Sequence, residues 1–326
     1  MRIVVLYTPA APDAPPEDLD GLVQRDAVSQ ALRELGHEPV AVPFDLNLAA
    51  SRDEIRRIGP GRVFNLVESA GGSDRLIHVA PSLLEAIGIP FAGSGSSAMM
   101  LTTNKILAKR FLSDAALPTP EWWTLDRGPC RPAEPGDRVI FKSVWDHGSV
   151  GLDDDAIMKI TRPDAIFDRL RALSERPGKT WFAERFIEGR EFNLSVLSGE
   201  HGPEVLPPAE IVFEDYDDGK PRFVGYKAKW ETESFEYIHT PRRFDFPKED
   251  DPLLDRLRKI AIACWERFAL RGWARVDFRV DREARPFVLE VNVNPCLSPD
   301  AGFAAAVDRA GLRYHDAVAR ILEDVG

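Results

Sequence analysis

The chain has 326 residues, 44% hydrophobic and 29% charged, a composition typical of a globular protein with two or three domains. Its formal net charge of −11 argues against a nucleic-acid partner, because binding to phosphate backbones depends on clustered Lys and Arg. Three cysteines without metal-ligand spacing, an N-terminus that resembles a strand rather than a signal peptide, and no membrane-length apolar run predict a cytoplasmic protein without a membrane partner.

The N-terminal part of the chain alternates predicted strands with predicted helices. Continuous apolar runs predict strands at 2–7, 40–44 and 62–67, and helical spacing predicts helices at 19–35 and 75–87. Such alternation predicts a mostly parallel open α/β sheet, in which ligands bind at the carboxyl ends of the strands. Glu68 follows the third strand directly, so it is either a ligand-binding residue or a solvated loop acid.

A short glycine- and serine-rich motif, GSGSSA at 93–98, lies between a predicted strand and a predicted helix over 97–114. It matches a dinucleotide pattern, but it comes after several earlier elements, so we interpret it as a domain linker with helix-capping serines. Lys105 and Lys109 share one face of the predicted helix. They form either a solvated basic stripe or a contact to phosphate.

Lys142 ends the apolar strand RVIFK, which follows a Pro-rich patch at 129–135, and the glycine-punctuated loop 143–151 comes next. A strand-end lysine followed by such a loop can hold polyphosphate through its ammonium and backbone N–H groups. The chain contains no G-x-x-x-x-G-K-[ST] pattern, so this is not a P-loop. We expect Lys142 to have an anionic partner, since a lysine ending a buried strand needs one or needs solvent.

Residues 181–197 predict two strands broken at Gly189. The polar and aromatic region at 209–241 that follows is long for a loop inside a domain, so we predict a functional cover. An amphipathic helix over 253–270 comes next, and a helix over 314–325 closes the chain.

The residues at 273–280 and 287–294 alternate between apolar and polar side chains, with the polar DREARP between them. This pattern predicts a β-hairpin. In the second strand the alternation predicts Leu289 on the apolar face and Val288 on the polar face.

If Val280 pairs with Phe287, then Asp277 lies directly opposite Glu290. Two carboxylates facing each other across strands repel and weaken a sheet unless a positive charge lies between them. The alternative is a solvated outer face whose acids are screened by neighbouring arginines.

The same pairing places Arg275 opposite Asn292. Carboxylate and amide oxygens are ligands that suit Mg²⁺, so Asp277, Glu290 and Asn292 form a candidate magnesium site. Arg275, next on that face, could stabilise developing negative charge.

Several of these motifs together resemble those of the D-alanine–D-alanine ligase family in the ATP-grasp superfamily. The resemblance covers nearly the whole chain in order: GIPFAGSG, Asn104-Lys105, Lys142 with its glycine loop, AERFIEGREF, GWARVDF and LEVNVNP. It implies an ATP-grasp fold of α/β and α+β type. The implied domains are an N-terminal Rossmann-like domain at 1–95, a central ATP-grasp domain at 96–188 and a C-terminal ATP-grasp domain with the magnesium site at 189–326.

The resemblance also implies ATP and Mg²⁺ as cofactors and assigns roles to individual residues. It implies nucleotide contacts for Lys105, Lys142, Gly148, Gly151, Glu184, Arg185, Phe186, Ile187, Glu191 and Leu289, with Glu191 at the ribose and the 147–151 loop folded over the phosphates. It implies magnesium binding by Asp277, Glu290 and Asn292, and catalytic roles for Arg275, Lys229 and Ser149.

The substrate side departs from the family pattern. The first loop is the Pro-rich TPAAPDAPP and lacks the family's ammonium-binding Glu, while Glu68 replaces an early-domain His and is a candidate to bind a substrate ammonium. Gly148 replaces the first of two serines, and Ala301 falls where a Ser binds the second substrate's carboxylate. Trp230 replaces a Tyr and Cys296 replaces a Gly, so both are candidate substrate contacts.

An intact nucleotide set beside an altered substrate set predicts an ATP-dependent carboxylate–amine ligase that works through an acyl phosphate. We expect it to join small amino-acid-like substrates into a dipeptide or amide, with substrates other than two D-alanines. One alternative is a genuine D-alanine–D-alanine or D-alanine–D-lactate ligase. Another is a nucleotide-binding protein without catalysis, which would not need Arg275 beside the magnesium ligands. The resemblance also implies a homodimer.

Overall fold

The computed structural model describes residues 1–126, 133–175 and 178–325. Cys130 and part of the Pro-rich patch at 129–135 lie outside the described residues. No helix in these three ranges is long and apolar enough to cross a membrane.

The strands form in apolar or alternating runs, as the sequence predicts. In chain order they are β1 (Arg2–Tyr7), β2 (Glu38–Pro43), β3 (Arg62–Leu66), β4 (Phe91–Ala92), β5 (Trp122–Trp123), β6 (Arg138–Ser143), β7 (Ile157–Lys159), β8 (Trp181–Arg185), β9 (Arg190–Leu197), β10 (Glu204–Val205), β11 (Ala209–Ile211), β12 (Arg242–Arg243), β13 (Trp273–Val280) and β14 (Pro286–Asn292).

The helices bury apolar residues, apart from two short ones at 226–230 and 235–238 that have no buried residue. They are α1 (Pro16–Glu34), α2 (Leu48–Ile58), α3 (Val79–Ile87), α4 (Ser96–Thr103), α5 (Lys105–Asp114), α6 (Ala165–Ser174), α7 (Tyr226–Trp230), α8 (Phe235–Ile238), α9 (Asp251–Arg267), α10 (Gly302–Arg309) and α11 (Tyr314–Glu323).

The strands form three sheets. The first has the order β2-β1-β3-β4 with every pair parallel, which confirms the predicted open α/β sheet. The second, β5-β8-β6-β7, is antiparallel and carries Lys142 and Glu184. The third has the order β12-β11-β9-β13-β14, with β10 also paired to β9. Each sheet falls within one of the three segments predicted as domains, although the domain boundaries themselves stay a prediction.

The hairpin of β13 and β14 has the predicted register at its functional end. Asp277 pairs with Glu290 and Arg275 pairs with Asn292. The assumed pair of Val280 with Phe287 is wrong, because Val280 pairs with Pro286.

The cause of this difference is an irregularity in β14, where Asp277 pairs with Glu290 but Phe278 pairs with Val288. One residue, Leu289, is extra on this strand, as in a β-bulge. The bulge reverses the predicted alternation. Val288 is buried in the core with Val291, and Leu289 lines the cavity described below.

The helix predicted over 97–114 is two helices, because the Asn104 side chain caps the second one. Its carboxamide oxygen accepts from the N–H groups of Ile106 and Leu107 at 3.1 and 3.0 Å. Asn favours such caps, since it satisfies N–H groups that have no partner within the helix. The cap places Lys105 at the first position of α5.

The GSGSSA motif makes packing contacts between elements. The prediction that its serines cap the following helix is wrong. Ser96 donates to the Glu85 carboxylate at 2.6 Å instead of capping α4. Ser94 is buried and accepts from the Arg271 N–H at 3.1 Å. Gly93, with φ of 111°, would place a Cβ 3.4 Å from the ring of Trp273, so this segment joins the first sheet to β13.

Gly189 lies between β8 and β9, where the chain passes very close to the end of β13. Its φ is 146°, and a Cβ there would lie 2.0 Å from the carbonyl oxygen of Val280. We expect Gly189→Ala to lower the free energy of unfolding by roughly 3–5 kcal/mol, measured by urea denaturation. Gly202→Ala is the control, because Gly202 has φ of 113° but no atom near its Cβ position, so about 1–2 kcal/mol is expected. Equal losses in the two variants would contradict the steric explanation.

Candidate active site

A cavity of about 1070 Å³ opens where residues from all three sheets meet. Parallel strands expose their carboxyl ends at one edge, and the first sheet brings Leu66 and Glu68 to the cavity in this way. β6 contributes Lys142, and the hairpin contributes Arg275, Asp277 and Glu290. The structure thus brings together nearly all the predicted site residues.

Gly151 is the exception among the predicted site residues. It is exposed and does not line the cavity, whereas Gly148 and Ser149 in the same loop do. Its φ is 74°, and its Cβ position lies 4.0 Å from the ammonium of Lys179. Its contact with nucleotide stays a prediction.

Asp277 is held by three side chains that donate to its two carboxylate oxygens. Arg275 binds it with Nε and Nη2 at 2.7 and 2.8 Å, a two-point pairing that fits the planar guanidinium. Asn193 on β9 donates at 2.8 Å, and Asn292 donates at 3.1 Å. Burial would lower the pKa of Arg275, but the pairing with Asp277 raises it.

Glu290, opposite Asp277, is surrounded by cationic groups from other elements. The ammonium of Lys105 and Nδ1 of His147 each lie 3.3 Å from its Oε1. Burial alone would raise the pKa of Glu290, but Lys105, His147 and Lys229 outweigh it and lower that pKa well below its usual range.

The donor set at this end of the hairpin fits Mg²⁺. Glu290 Oε1 is a buried carboxylate oxygen that makes no hydrogen bond in the described part of the chain, and its ion-pair neighbours Lys105 and His147 lie 3.3 Å away. No group of three or more His, Cys, Asp or Glu side chains that could hold a metal occurs in residues 1–126, 133–175 and 178–325. A magnesium ion here would therefore take two carboxylates and the Asn292 amide oxygen from the protein and keep water or phosphate oxygens as further ligands.

A buried charge network lies beside the cavity where β6 and β8 border it. Glu184 on β8 and Lys109 on α5 are each 1% exposed, with Lys109 Nζ 2.7 Å from Glu184 Oε2. Lys142 Nζ contacts the other oxygen of the same carboxylate. Burial would raise the pKa of Glu184, but the two lysines lower it.

This network corrects the interpretations of Lys109. The side chain is neither a solvated stripe nor a phosphate contact, because the helix turns it inward to Glu184 and to Thr119 Oγ1, 2.9 Å away. Lys142, predicted to need an anionic partner, has one in Glu184 while still lining the cavity.

The region at 209–241 lies against the glycine loop and lines the cavity, as expected of a cover. Trp230 Nε1 donates to the Gly148 carbonyl at 2.8 Å, and Ser149 Oγ donates to the Val224 carbonyl at 3.0 Å. The short helix α7 points Lys229 into the cavity near Arg275. Burial and the Arg275 charge lower the pKa of Lys229.

A second part of the cavity wall is acidic. Glu68 accepts from Gln24 Nε2 at 2.6 Å, and burial together with nearby Asp20, Asp74 and Asp18 raises the pKa of Glu68 to about 7. The surroundings of Cys296 do not favour a reactive thiol. The thiol donates to Asp20 at 2.9 Å, and burial raises its pKa, so it stays protonated.

Sequence reasoning missed four acidic residues of the cavity wall, three in the first turns of α1 and one in the turn before α3. Glu17, Asp18 and Asp20 line the cavity with Asp74, and Glu17 accepts from the Tyr226 hydroxyl of the cover at 2.9 Å. The signal was present as the run EDLD directly after the Pro-rich loop. Acidic residues at the start of a helix are usually explained by their interaction with the helix dipole. For that reason a second role, in lining the cavity, was not predicted.

Comparisons with known proteins agree with this geometry. The family model described as D-ala D-ala ligase C-terminus matches residues 139–323. The uncharacterised protein y4sG of Sinorhizobium fredii (strain NBRC 101917 / NGR234) is 30% identical over 303 residues, which cover 91% of this chain and 86% of that protein. D-alanine–D-alanine ligase of Synechococcus sp. (strain JA-2-3B'a(2-13)) is 30% identical over 305 residues, with the same coverage.

Among solved structures, the crystal structure of D-alanine–D-alanine ligase from Bacillus anthracis complexed with ATP matches with a TM-score of 0.73. The match covers 99% of this chain and 97% of that chain at 20% sequence identity, so it shows a shared fold. The fold is therefore the ATP-grasp fold, as the sequence predicts, and the protein is an ATP-grasp ligase by class. The chain belongs to the D-alanine–D-alanine ligase-like family.

The buried pair of Lys109 and Glu184 generates a stability prediction. We expect Lys109→Met to lower the free energy of unfolding by roughly 3–5 kcal/mol, because the Glu184 charge stays buried with one partner fewer. Adding Glu184→Gln should remove part of this loss, a coupling of about 1–3 kcal/mol in urea denaturation.

The matched control is Lys179→Met, which breaks the more exposed pair of Lys179 with Asp146. This control should cost less than about 1 kcal/mol. Strict additivity of Lys109→Met and Glu184→Gln would contradict the direct charge interaction.

Proposed function

We propose that this protein is an ATP-dependent carboxylate–amine ligase that joins small amino-acid-like substrates through an acyl phosphate. The observation that carries the proposal is the convergence in one cavity of a carboxylate pair with an amide, an arginine and three lysines. The carboxylate pair and amide are Asp277, Glu290 and Asn292, and the cationic groups are Arg275, Lys105, Lys142 and Lys229.

In the first step, a substrate carboxylate oxygen attacks the γ-phosphorus of ATP, so that an acyl phosphate forms and ADP leaves. Mg²⁺, when bound by Asp277, Glu290 and Asn292, neutralises phosphate charge. Lys105 and Lys142 would bind phosphate oxygens from the other side, so catalysis of this step is mainly positioning and charge neutralisation. Glu191 and the residues at 184–187, with Leu289, would hold the nucleoside.

In the second step, an amine attacks the acyl carbon, the carbonyl oxygen becomes negatively charged, and phosphate then leaves. Arg275 is partly buried and is fixed by Asp277, so it would stabilise the oxyanion without reorganising. Lys229 would contact the departing phosphate. Ser149, with φ of 62° and a bond to the cover, would keep the glycine loop over the phosphates.

The replaced residues support substrates other than two D-alanines, because Cys296, Ala301 and Trp230 line the cavity where the family pattern has Gly, Ser and Tyr. Glu68, Asp18, Asp20 and Asp74 also line it and favour an ammonium on a substrate, a group that D-alanine carries too.

A genuine D-alanine–D-alanine ligase is the second candidate. It is favoured by the relatives at about 30% identity that carry that name.

We also propose that the protein acts in the cytoplasm as a homodimer, with domains at 1–95, 96–188 and 189–326. Size-exclusion chromatography with light scattering would test whether it is a dimer.

The activity is tested by measuring phosphate release from MgATP with D- and L-amino acids offered singly and in pairs, with products identified by mass spectrometry. We expect release with a pair other than two D-alanines and a condensation product of that pair. D-Alanyl-D-alanine formed efficiently from D-alanine alone would overturn the substrate proposal. No release with any pair would count against ligase activity.

The Asp277→Asn variant tests the proposed magnesium site in the same assay. We expect it to lower phosphate release by about 10²- to 10³-fold and to weaken the magnesium dependence of ATP binding, measured by calorimetry, because one of two carboxylate ligands is lost. Asp255→Asn, at an exposed acid on α9 outside the cavity, should change neither quantity.

Glu68 generates a pH prediction. Its pKa of about 7 means that the carboxyl is mostly neutral at pH 6 and mostly charged at pH 8. If it binds a substrate ammonium, the KM of that substrate should fall by about tenfold as pH rises from 6 to 8, since only the charged form attracts a cation. Glu68→Gln should flatten this profile and leave the KM of ATP unchanged. A variant with the wild-type profile would exclude Glu68 from substrate binding.

A further inference from the structure

One buried arginine in the cavity wall is not used in the proposed ligase reaction. Arg279 continues the polar face of β13 beyond Arg275 and Asp277, and it is 3% exposed. It lies directly opposite Glu191 on β9, and its Nη1 donates to Glu191 Oε2 at 3.0 Å. Because Glu191 is the residue proposed at the ribose, Arg279 holds the carboxylate that would meet the sugar.

The same guanidinium also holds two segments of backbone. Its Nε donates to the Ile187 carbonyl at 2.9 Å, in the segment between β8 and β9. Its Nη1 donates to the Arg222 carbonyl at 2.9 Å, in the cover at 209–241. Ile187 lines the cavity and belongs to the proposed nucleoside pocket. One side chain therefore links the nucleoside pocket, Glu191 and the cover.

Two phenylalanines, one from each segment, lie against Arg279. Its guanidinium carbon is 5.4 Å from the ring centroid of Phe186 and 5.9 Å from that of Phe213 in the cover. Both distances are within the range of a cation–π contact. Its Nη2 has no hydrogen-bond partner within the described residues. Loss of any one partner would leave this buried charge less well paired, which is costly, so the positions of its partners depend on one another.

We propose that Arg279 is a positioning residue that couples recognition of the ribose hydroxyls by Glu191 to the position of the cover. A ribose that holds Glu191 in place also holds the guanidinium, and the guanidinium holds the cover at Arg222 and Phe213. This inference rests on the proposed function, since it requires a nucleotide whose ribose lies at Glu191. Such coupling is reciprocal, so a change in the cover must also alter how much the ribose hydroxyls contribute to binding.

The test compares MgADP with its 2′-deoxy and 3′-deoxy forms. Binding is measured by calorimetry, and the cover is followed by the rate of trypsin cleavage after Lys220, Arg222 and Lys227, with each nucleotide at saturation. We expect ADP to bind about 10- to 100-fold more tightly than at least one deoxy form, because a hydrogen bond to a charged group is lost. We also expect saturating ADP to slow cleavage of the cover about fivefold more than that deoxy form does.

Variants then assign the coupling to Arg279. Arg279→Met should bring the affinities of ADP and the deoxy form to within about threefold of each other and remove the difference in cleavage. Arg279→Lys keeps a charge beside Glu191 but not the planar set of donors, so it should retain part of the affinity difference and lose the cleavage difference. Both differences unchanged in Arg279→Met would overturn the proposal.

The matched control is Arg190→Met. Arg190 also lies on the third sheet, where it bridges Glu210 and Asp250, but it is outside the cavity. A loss of stability is expected in both methionine variants, because each removes an arginine that pairs with carboxylates. Only Arg279→Met should alter the distinction between ADP and its deoxy forms.

The cover provides a second variant, which removes no buried charge. Phe213→Ala removes none of the proposed nucleotide contacts, since Phe213 does not line the cavity, yet reciprocity predicts a smaller affinity difference between ADP and the deoxy form. Phe235→Ala is its control, because that ring stacks on His239, 4.2 Å away, instead of on Arg279. If Arg279→Met does not fold, an unchanged affinity difference in Phe213→Ala overturns the proposal. Equal protection of the wild-type cover by ADP and both deoxy forms also overturns it.

Phosphate release from MgATP in parallel samples separates the two proposals. Ribose-dependent protection of the cover that is lost in Arg279→Met, without phosphate release for any substrate pair, would support the coupling and count against the ligase. Phosphate release by the wild type, with ADP and its deoxy forms equal in binding and in protection, would support the ligase and overturn the coupling.

Discussion

The repulsion between Asp277 and Glu290 is the constraint on which the site depends. Backbone pairing of β13 with β14 fixes the two carboxylates opposite each other, so neither can move away without breaking the sheet. Such a pair persists only if positive charge and donors surround it. Arg275 pairs with Asp277, and Lys105 and His147 pair with Glu290, so the start of α5 and the glycine loop lie against the hairpin.

The rest of the cavity shows a graded charge pattern built on this centre. Lysines and arginines concentrate around the hairpin, while α1 and the turn before α3 place carboxylates on another part of the cavity wall. The cover connects the two regions, because Tyr226 contacts Glu17 and Trp230 contacts Gly148. A polyphosphate suits the cationic region and an ammonium suits the acidic one, so the proposed reaction would place ATP and an ammonium-bearing substrate on different parts of the cavity wall.

Local patterns predicted the first sheet and the functional end of the hairpin, the family resemblance predicted the fold, and the patterns failed where one residue interrupted a period. The parallel first sheet, the strand breaks and the pairing of Asp277 with Glu290 follow from alternation and turn chemistry. The bulge at Leu289 and the cap at Asn104 do not, because each interrupts a repeat that continues on both sides of it. Lys109 was misinterpreted since helical spacing defines a face but not what that face meets.

The sequence by itself determined which chemical groups stand on the same strand face or strand end. The period of a strand and the residue types within it fix the carboxylate pair, the strand-end Lys142 and the family motifs without reference to distant residues. Tertiary structure alone decided that Asp18, Asp20 and Asp74 surround Glu68, and that Arg279 contacts Arg222 of the cover. These groups are far apart in the chain, and only packing of the sheets and helices brings them to one cavity.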